Sequence, residues 1–154
     1  MLSRTLKAMV FAAAITAIAQ AAPNFSGDWK MNIAKSDFGP VPAPEELTRA
    51  IQHKDLNLAI KTHQKGAQGD ISTELKYTTD GKPCMNKVNG SDSAGTAKFE
   101  GDNLVIESTR EYQGMQLHTK ETWSLSDGGK TLTILNHLAV PQGEFDLKLV
   151  LEKQ

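Results

Sequence analysis

Gly143-Glu144-Phe145-Asp146-Leu147-Lys148-Leu149-Val150-Leu151 decides the fold. Phe145, Leu147, Leu149 and Leu151 recur at every second position, with Glu144, Asp146 and Lys148 between them. A period of two sends successive side chains to opposite faces of an extended strand, one face apolar and the other polar. A helix would need its apolar positions three and four apart. Pro141-Gln142-Gly143 punctuates the chain just before, and Leu132, Ile134, Leu138 and Val140 share a face in the segment before that.

The same texture extends back to Phe25. Phe25, Gly27, Trp29, Met31 and Ile33 lie on one face of a first strand. Leu47 and Ile51 lead through Asp55 and Asn57 to Leu58 and Ile60. Ile71, Leu75 and Tyr77 run into Asp80-Gly81, a strong hairpin signal, and Cys84, Asn86 and Val88 follow. Ala97 and Phe99 turn through Gly101-Asp102-Asn103 into Leu104, Ile106 and Tyr112. Met115, Leu117, Trp123 and Leu125 then run up to Asp127-Gly128-Gly129. Short alternating runs broken by turn residues at this spacing predict an all-β protein, an antiparallel meander of about ten strands. The one longer link, Ala34 to Glu46, carries Pro40, Pro42 and Pro44. Alternating prolines hold such a segment extended, as a strap across one end of the domain.

The first residues have a different character. Arg4 and Lys7 form a basic head, Ala8 to Ile18 is apolar, and Ala19-Gln20-Ala21 has the small-x-small form of a cleavage site. That order predicts a signal peptide over residues 1–21 and a mature domain over 22–154, secreted or periplasmic, with the Ala-rich run leaning towards a bacterial exported protein. The apolar run falls short of the roughly 20 residues a membrane span needs. Loss of Arg4 and Lys7 leaves 15 basic against 18 acidic side chains, a formal charge of −3, which argues against nucleic acid or an anionic membrane surface as partner. Cys84 is the one cysteine of the chain, so the fold must rest on its core without an internal disulfide.

Phe25-Ser26-Gly27-Asp28-Trp29-Lys30, followed by Ser36-Asp37-Phe38-Gly39, resembles the opening of the calycins, the group of lipocalins and fatty-acid-binding proteins. The resemblance implies a closed, lipocalin-like β-barrel around a small apolar ligand, a glycine at a close backbone approach, and Trp29 as a plug at one end. The chain departs from that pattern in three places. Its strap is too short and Pro-rich for a pair of helices, it ends in a strand, and no arginine follows the last strands.

Hairpin register places side chains relative to one another, because a one-residue slip inverts every face. Pairing Tyr112 with Met115 opposes Ser108 to Thr119. Pairing Leu125 with Lys130 opposes Thr119 to Asn136 and Glu121 to Ile134. By parity Ser108, Arg110, Tyr112, Thr119, Glu121 and Asn136 all point inward with Leu104, Leu117, Trp123 and Leu138, and Arg49 and His53 share the face of Leu47 and Ile51. A solid core penalises such groups, whereas a water-filled cavity tolerates them and lets Arg110 and Tyr112 meet the acidic end of a ligand. On the outer face the same register opposes His118 to His137, and His137 to Asp146, a row that could hold zinc but is more simply polar surface. Cys84 points inward as a small hydrophobe. No nucleophile elbow, phosphate loop or His-Glu-x-x-His run occurs, and no cofactor is implied. The expected function is an exported, non-enzymatic binding protein for a small amphipathic ligand. The alternative is a filled barrel serving as an interaction module, and oligomeric state is left open. Protein recovered from the exported fraction should begin at Ala22, read by N-terminal sequencing; an intact Met1 there would refute the cleavage.

Overall fold

The structure, a computed structural model, describes residues 21–154; the expected export signal, up to Gln20, lies outside the described residues. Ten antiparallel strands follow in sequence: β1 (Gly27–Met31), β2 (Glu46–Lys54), β3 (Asn57–Gly66), β4 (Gly69–Thr78), β5 (Cys84–Val88), β6 (Ser91–Glu100), β7 (Asn103–Tyr112), β8 (Met115–Ser126), β9 (Thr131–Val140) and β10 (Gly143–Lys153). Each pairs with its chain neighbour except β4 with β5. β1 lies between β2 and β10, tying the start of the domain to its end, and the two edges of the sheet are β4 and β5. The result is a nearly closed barrel. Among the described residues no helix is long and apolar enough to cross a membrane.

One end of the barrel is dry. Phe25, Trp29, Leu104, Trp123, Leu132, Ile134 and Leu151 are at most 1% exposed. Phe25 meets Trp123 edge to face at 5.7 Å between ring centroids. Trp29 donates its indole Nε1–H to the Phe25 carbonyl at 3.0 Å, so its one polar atom is satisfied inside the core. Lys153 pairs with Trp29 in the β1–β10 ladder and sets its ammonium over the ring at 5.4 Å. Gly27 has a φ of +144°, and a Cβ there would sit 2.6 Å from the Lys153 Cε. The backbone conformation favours the glycine of the opening motif, whereas the flexible end of Lys153 could move aside. Ile33, expected on the face of Trp29, is instead 41% exposed, because the strand ends at Met31 and Ile33–Lys35 form a 3₁₀ turn capped by the Asn32 side chain.

Two expectations are corrected. Asp80-Gly81 does not make a hairpin ladder. Asp80 bridges to Lys98, and Gly81 N–H donates to the Ala97 carbonyl at 2.9 Å, which turns the chain towards β6. Pro83, with no N–H, stands where a ladder from Cys84 would begin. Where the backbones part, a side chain spans the seam. Asn86 accepts from Lys76 N–H at 2.7 Å and donates to the Lys76 carbonyl at 3.0 Å, reproducing with one carboxamide the two bonds of a strand pair. The second correction is at the β8–β9 turn. Leu125 opposes Leu132, not Lys130. Asp127, Gly128 and Gly129 all have positive φ, and this left-handed run builds a longer connection than a two-residue turn. A slip of two preserves every inward face, but it opposes Glu121 to Asn136 and Thr119 to Leu138.

Replacing Asn86 by alanine should strip the Lys76 amide of its hydrogen-exchange protection and cost about 1–3 kcal/mol in denaturant unfolding, the usual effect of leaving a backbone pair unmet. Unchanged protection at Lys76 would mean that the seam is held by something else.

Candidate functional site

The inward face grades from dry to wet along each strand. On β7, Leu104 and Ile106 are buried, Ser108 and Arg110 are half-buried, and Tyr112 is 39% exposed. On β9, Leu132 and Ile134 are buried, then Asn136 and Leu138 open. The upper half of the barrel is accordingly unfilled. It encloses a cavity of ≈ 430 Å³ that opens at the Tyr112 end. Phe38, Val41, Pro42 and Pro44 of the strap lie along that opening, as alternating prolines led one to expect. All six residues singled out by parity, Ser108, Arg110, Tyr112, Thr119, Glu121 and Asn136, line this one cavity.

Between dry floor and open chamber lies an ion pair. The guanidinium of Arg49, on β2, donates Nη1–H to Glu121 Oε2 at 3.2 Å and Nη2–H to Oε1 at 3.3 Å. Both side chains are largely buried, at 12% and 18% exposure. Trp123 Nε1–H donates to Glu121 Oε2 at 2.7 Å, and the Arg49 guanidinium lies 5.5 Å over the Trp123 ring. Burial by itself would raise the Glu121 carboxyl. The charge of Arg49, its two hydrogen bonds and the indole outweigh burial and hold Glu121 below the ordinary carboxylate value. Inward parity locates both partners in the sequence, but not their pairing, because β2 and β8 share no ladder.

Above this layer the polar groups differ in how well they are satisfied. Ser108 Oγ and Thr119 Oγ1 bond each other at 2.7 Å, the cross-strand pair expected from register. Burial, then the charge of Glu121, pushes the Tyr77 hydroxyl up to about 12, so it stays protonated. Asn136 Oδ1 and Arg49 Nε are buried without a hydrogen-bond partner. Arg110 forms no ion pair within 4.0 Å among the described residues; its guanidinium rests 5.4 Å over the ring of Tyr112.

The outer histidine row does not form. The corrected register opposes His118 to Ala139 and His137 to Lys120. His118 bonds Thr109 at 2.8 Å, while His137 bonds Asp146 at 2.7 Å across the predicted β9–β10 pair. Among the described residues no three His, Cys, Asp or Glu side chains are grouped to hold a metal ion. Cys84 is half-buried against the core.

No protein-family model matches the chain, and none of the curated protein sequences does. Solved structures do match. A secretory abundant heat soluble protein from Ramazzottius varieornatus is 11% identical over 84% of this chain and 94% of its own, with a TM-score of 0.63. Zebrafish ileal bile acid-binding protein, solved with cholic acid, is 19% identical over 84% of this chain and 98% of its own, with a TM-score of 0.56. Human cRBP IV is 12% identical over 86% and 99%, with a TM-score of 0.54. Identities this low carry the fold and nothing finer, and the shared fold is a nearly closed, ten-stranded antiparallel β-barrel.

Glu121→Leu should cost about 3–5 kcal/mol, because it strands the Arg49 charge inside the barrel; Arg49→Met with Glu121→Leu should recover most of that. Since Glu121 is held below 4.5, its share of stability is complete above the ordinary carboxylate value and is lost as pH falls towards the folded-state value. Denaturation midpoints measured from neutral pH downward should therefore fall less steeply in the double variant, and equal slopes would remove the ion pair from the account.

Proposed function

We propose that this protein is an exported carrier or sensor that holds a small amphipathic acid in its barrel, with the acid group at the mouth on Arg110. The observation that carries this reading is the contrast between its two inward arginines. Arg49 is neutralised by Glu121, whereas Arg110 faces the same cavity with an aromatic ring below it and no carboxylate beside it. A guanidinium keeps its charge through the physiological range and offers a planar fork of donors that matches a carboxylate. Tyr112 lies alongside, able to contact the ligand where the cavity meets solvent. The apolar wall formed by Ile60, Leu75, Leu138 and Leu149 suits a hydrocarbon body. A filled barrel acting through its surface is disfavoured by the cavity itself. The solved neighbours lend support of a coarser kind, since the zebrafish protein of this fold is a bile acid-binding protein. The export signal of residues 1–21 would place the carrier in the periplasm or outside the cell, and neither a nucleic acid nor a cofactor belongs to the reading.

A charge-assisted hydrogen bond contributes about 1.5–3 kcal/mol. Arg110→Leu should thus weaken binding of a fluorescent fatty acid about ten-fold or more, with the fold intact by circular dichroism. No binding by the parent protein, or equal binding by the variant, would sink the carrier reading.

A further inference from the structure

We infer that the Tyr77 hydroxyl is a second ligand contact, a neutral donor on the chamber wall that takes a carbonyl oxygen on the ligand's body. This rests on the carrier reading and narrows its ligand class to an oxo acid, an amphipathic acid with a ketone partway along its hydrocarbon.

Tyr77 is seated by a missing side chain. It is 4% exposed and lines the cavity. Its strand, β4, has no ladder with β5, and its ring reaches across to β6, where it lies against Gly95. A Cβ at Gly95 would sit 3.0 Å from the Tyr77 Cε1 and 2.7 Å from the Glu107 carbonyl oxygen. The carbonyl is backbone and has no free end to swing away. Gly95 is not among the glycines of positive φ, so space rather than backbone conformation favours glycine here. Ser93 and Ala97, on the same inner face, are small and buried as well. β6 thus presents a shallow trough, and the tyrosine ring occupies it.

The hydroxyl at the end of that ring makes no hydrogen bond among the described residues. Its polar neighbours are engaged elsewhere. Glu121, whose charge acts on the hydroxyl, already accepts from Arg49 and Trp123. Ser108, which also acts on it, is paired with Thr119 at 2.7 Å. The hydroxyl is not sealed in, either. Among the described residues, the side-chain atoms both unpartnered and closed off from their surroundings are Arg49 Nε and Asn136 Oδ1. The unpartnered Tyr77 oxygen is not one of them, so it keeps surface on the chamber that the residue lines.

The chemistry of the donor selects the acceptor. Tyr77 stays protonated, so it offers one proton and no charge. An alkyl body laid against it would strip away its water and return nothing. A ketone oxygen accepts the proton and leaves no group unmet. A ligand hydroxyl would bring a proton of its own, with Glu121 and the Ser108–Thr119 pair already committed. Register gives the depth. Ser93 opposes Arg110 and Gly95 opposes Ser108, so Tyr77 stands one inward-facing step below Arg110. Two residues of strand span roughly 7 Å.

The test sets hexadecanoic acid against its oxo derivative with the ketone about six carbons from the carboxyl, chosen to match that two-residue span. Each acid displaces a fluorescent fatty acid from the protein. Tyr77→Phe deletes only the hydroxyl. It should weaken the oxo acid about five-fold or more, while hexadecanoic acid binds as before or more tightly because no donor is left bare. A merely structural tyrosine would shift both acids alike. Infrared spectroscopy of the oxo acid, isotope-labelled at the ketone, gives a second readout. Its carbonyl stretch should fall in the parent relative to an alkane solution, and recover in Tyr77→Phe. If the fluorescent acid binds but Tyr77→Phe weakens both acids alike or neither, or leaves the carbonyl stretch lowered, the Tyr77 contact is wrong and the carrier stands. If the fluorescent acid does not bind the parent, both fall together. Should Tyr77→Phe fail to fold, the stretch in the parent decides alone, and a carbonyl at its alkane-solution position would overturn the contact.

Discussion

The Arg49–Glu121 pair divides the barrel, and the interior is organised around it. Below it every side chain is apolar or, like the Trp29 and Trp123 indoles, has its polar atom satisfied. Above it the barrel is hollow and polar groups face the space. Continuum reasoning says that a buried pair of this kind adds little stability over apolar side chains of equal volume. Its presence therefore points away from stability as the reason for this layer. Two charges that cancel each other allow water-accessible polar groups to begin halfway up the barrel without an isolated charge against the tryptophans. The pair also fixes geometry. Its bidentate contact, the Trp123 hydrogen bond and the stacking of Arg49 on the same ring hold both side chains in one arrangement, so the floor of the chamber is rigid.

The barrel wall must maintain that arrangement without a disulfide, and it does so with an incomplete sheet. β1 closes one side by pairing with both β2 and β10, so the ends of the domain brace each other. The other side is left to Asn86. A carboxamide that imitates one strand pair is a weaker closure than a ladder, and its position matters. It joins β4 to β5, and Tyr77 of β4 and Val88 of β5 line the chamber. The seam is thus the part of the wall with the fewest backbone pairings. His53 adds a constraint at the closed end. It is buried against Phe25 and Phe99, burial lowers its pKa, and it stays neutral as an acceptor for Phe25 N–H at 3.4 Å.

How much of this was legible depends on the range of each interaction. Strand identity is local, so the period of two in Phe145–Leu151 and its neighbours located the wall, and parity placed Ser108, Arg110, Thr119, Glu121 and Asn136 on its inner face. The strap was legible from its prolines, and the plug from Trp29. Register proved harder. The β8–β9 slip turned on Asp127 adopting positive φ ahead of two glycines, a conformation that a hairpin pattern does not specify. Asp80-Gly81 misled for the opposite reason, since its turn signal was sound but Pro83 denied the strands that follow it a ladder. The ion pair was out of reach altogether. Arg49 and Glu121 are brought together by the curvature of the whole sheet, and no pairwise hairpin argument spans it.

The order of charges through the chamber also sets the direction in which a ligand can lie. Among the described residues Arg110 is the cation of the mouth with no carboxylate within 4.0 Å, and Glu121 is the carboxylate at mid-depth, its own cation already engaged. An acid group pushed down to the level of Glu121 would meet an ion pair whose charges already cancel, and no unclaimed guanidinium fork. At the mouth the same group gains Arg110 and keeps part of its hydration. The difference favours an acid that lies with its acid end at the mouth and its body below.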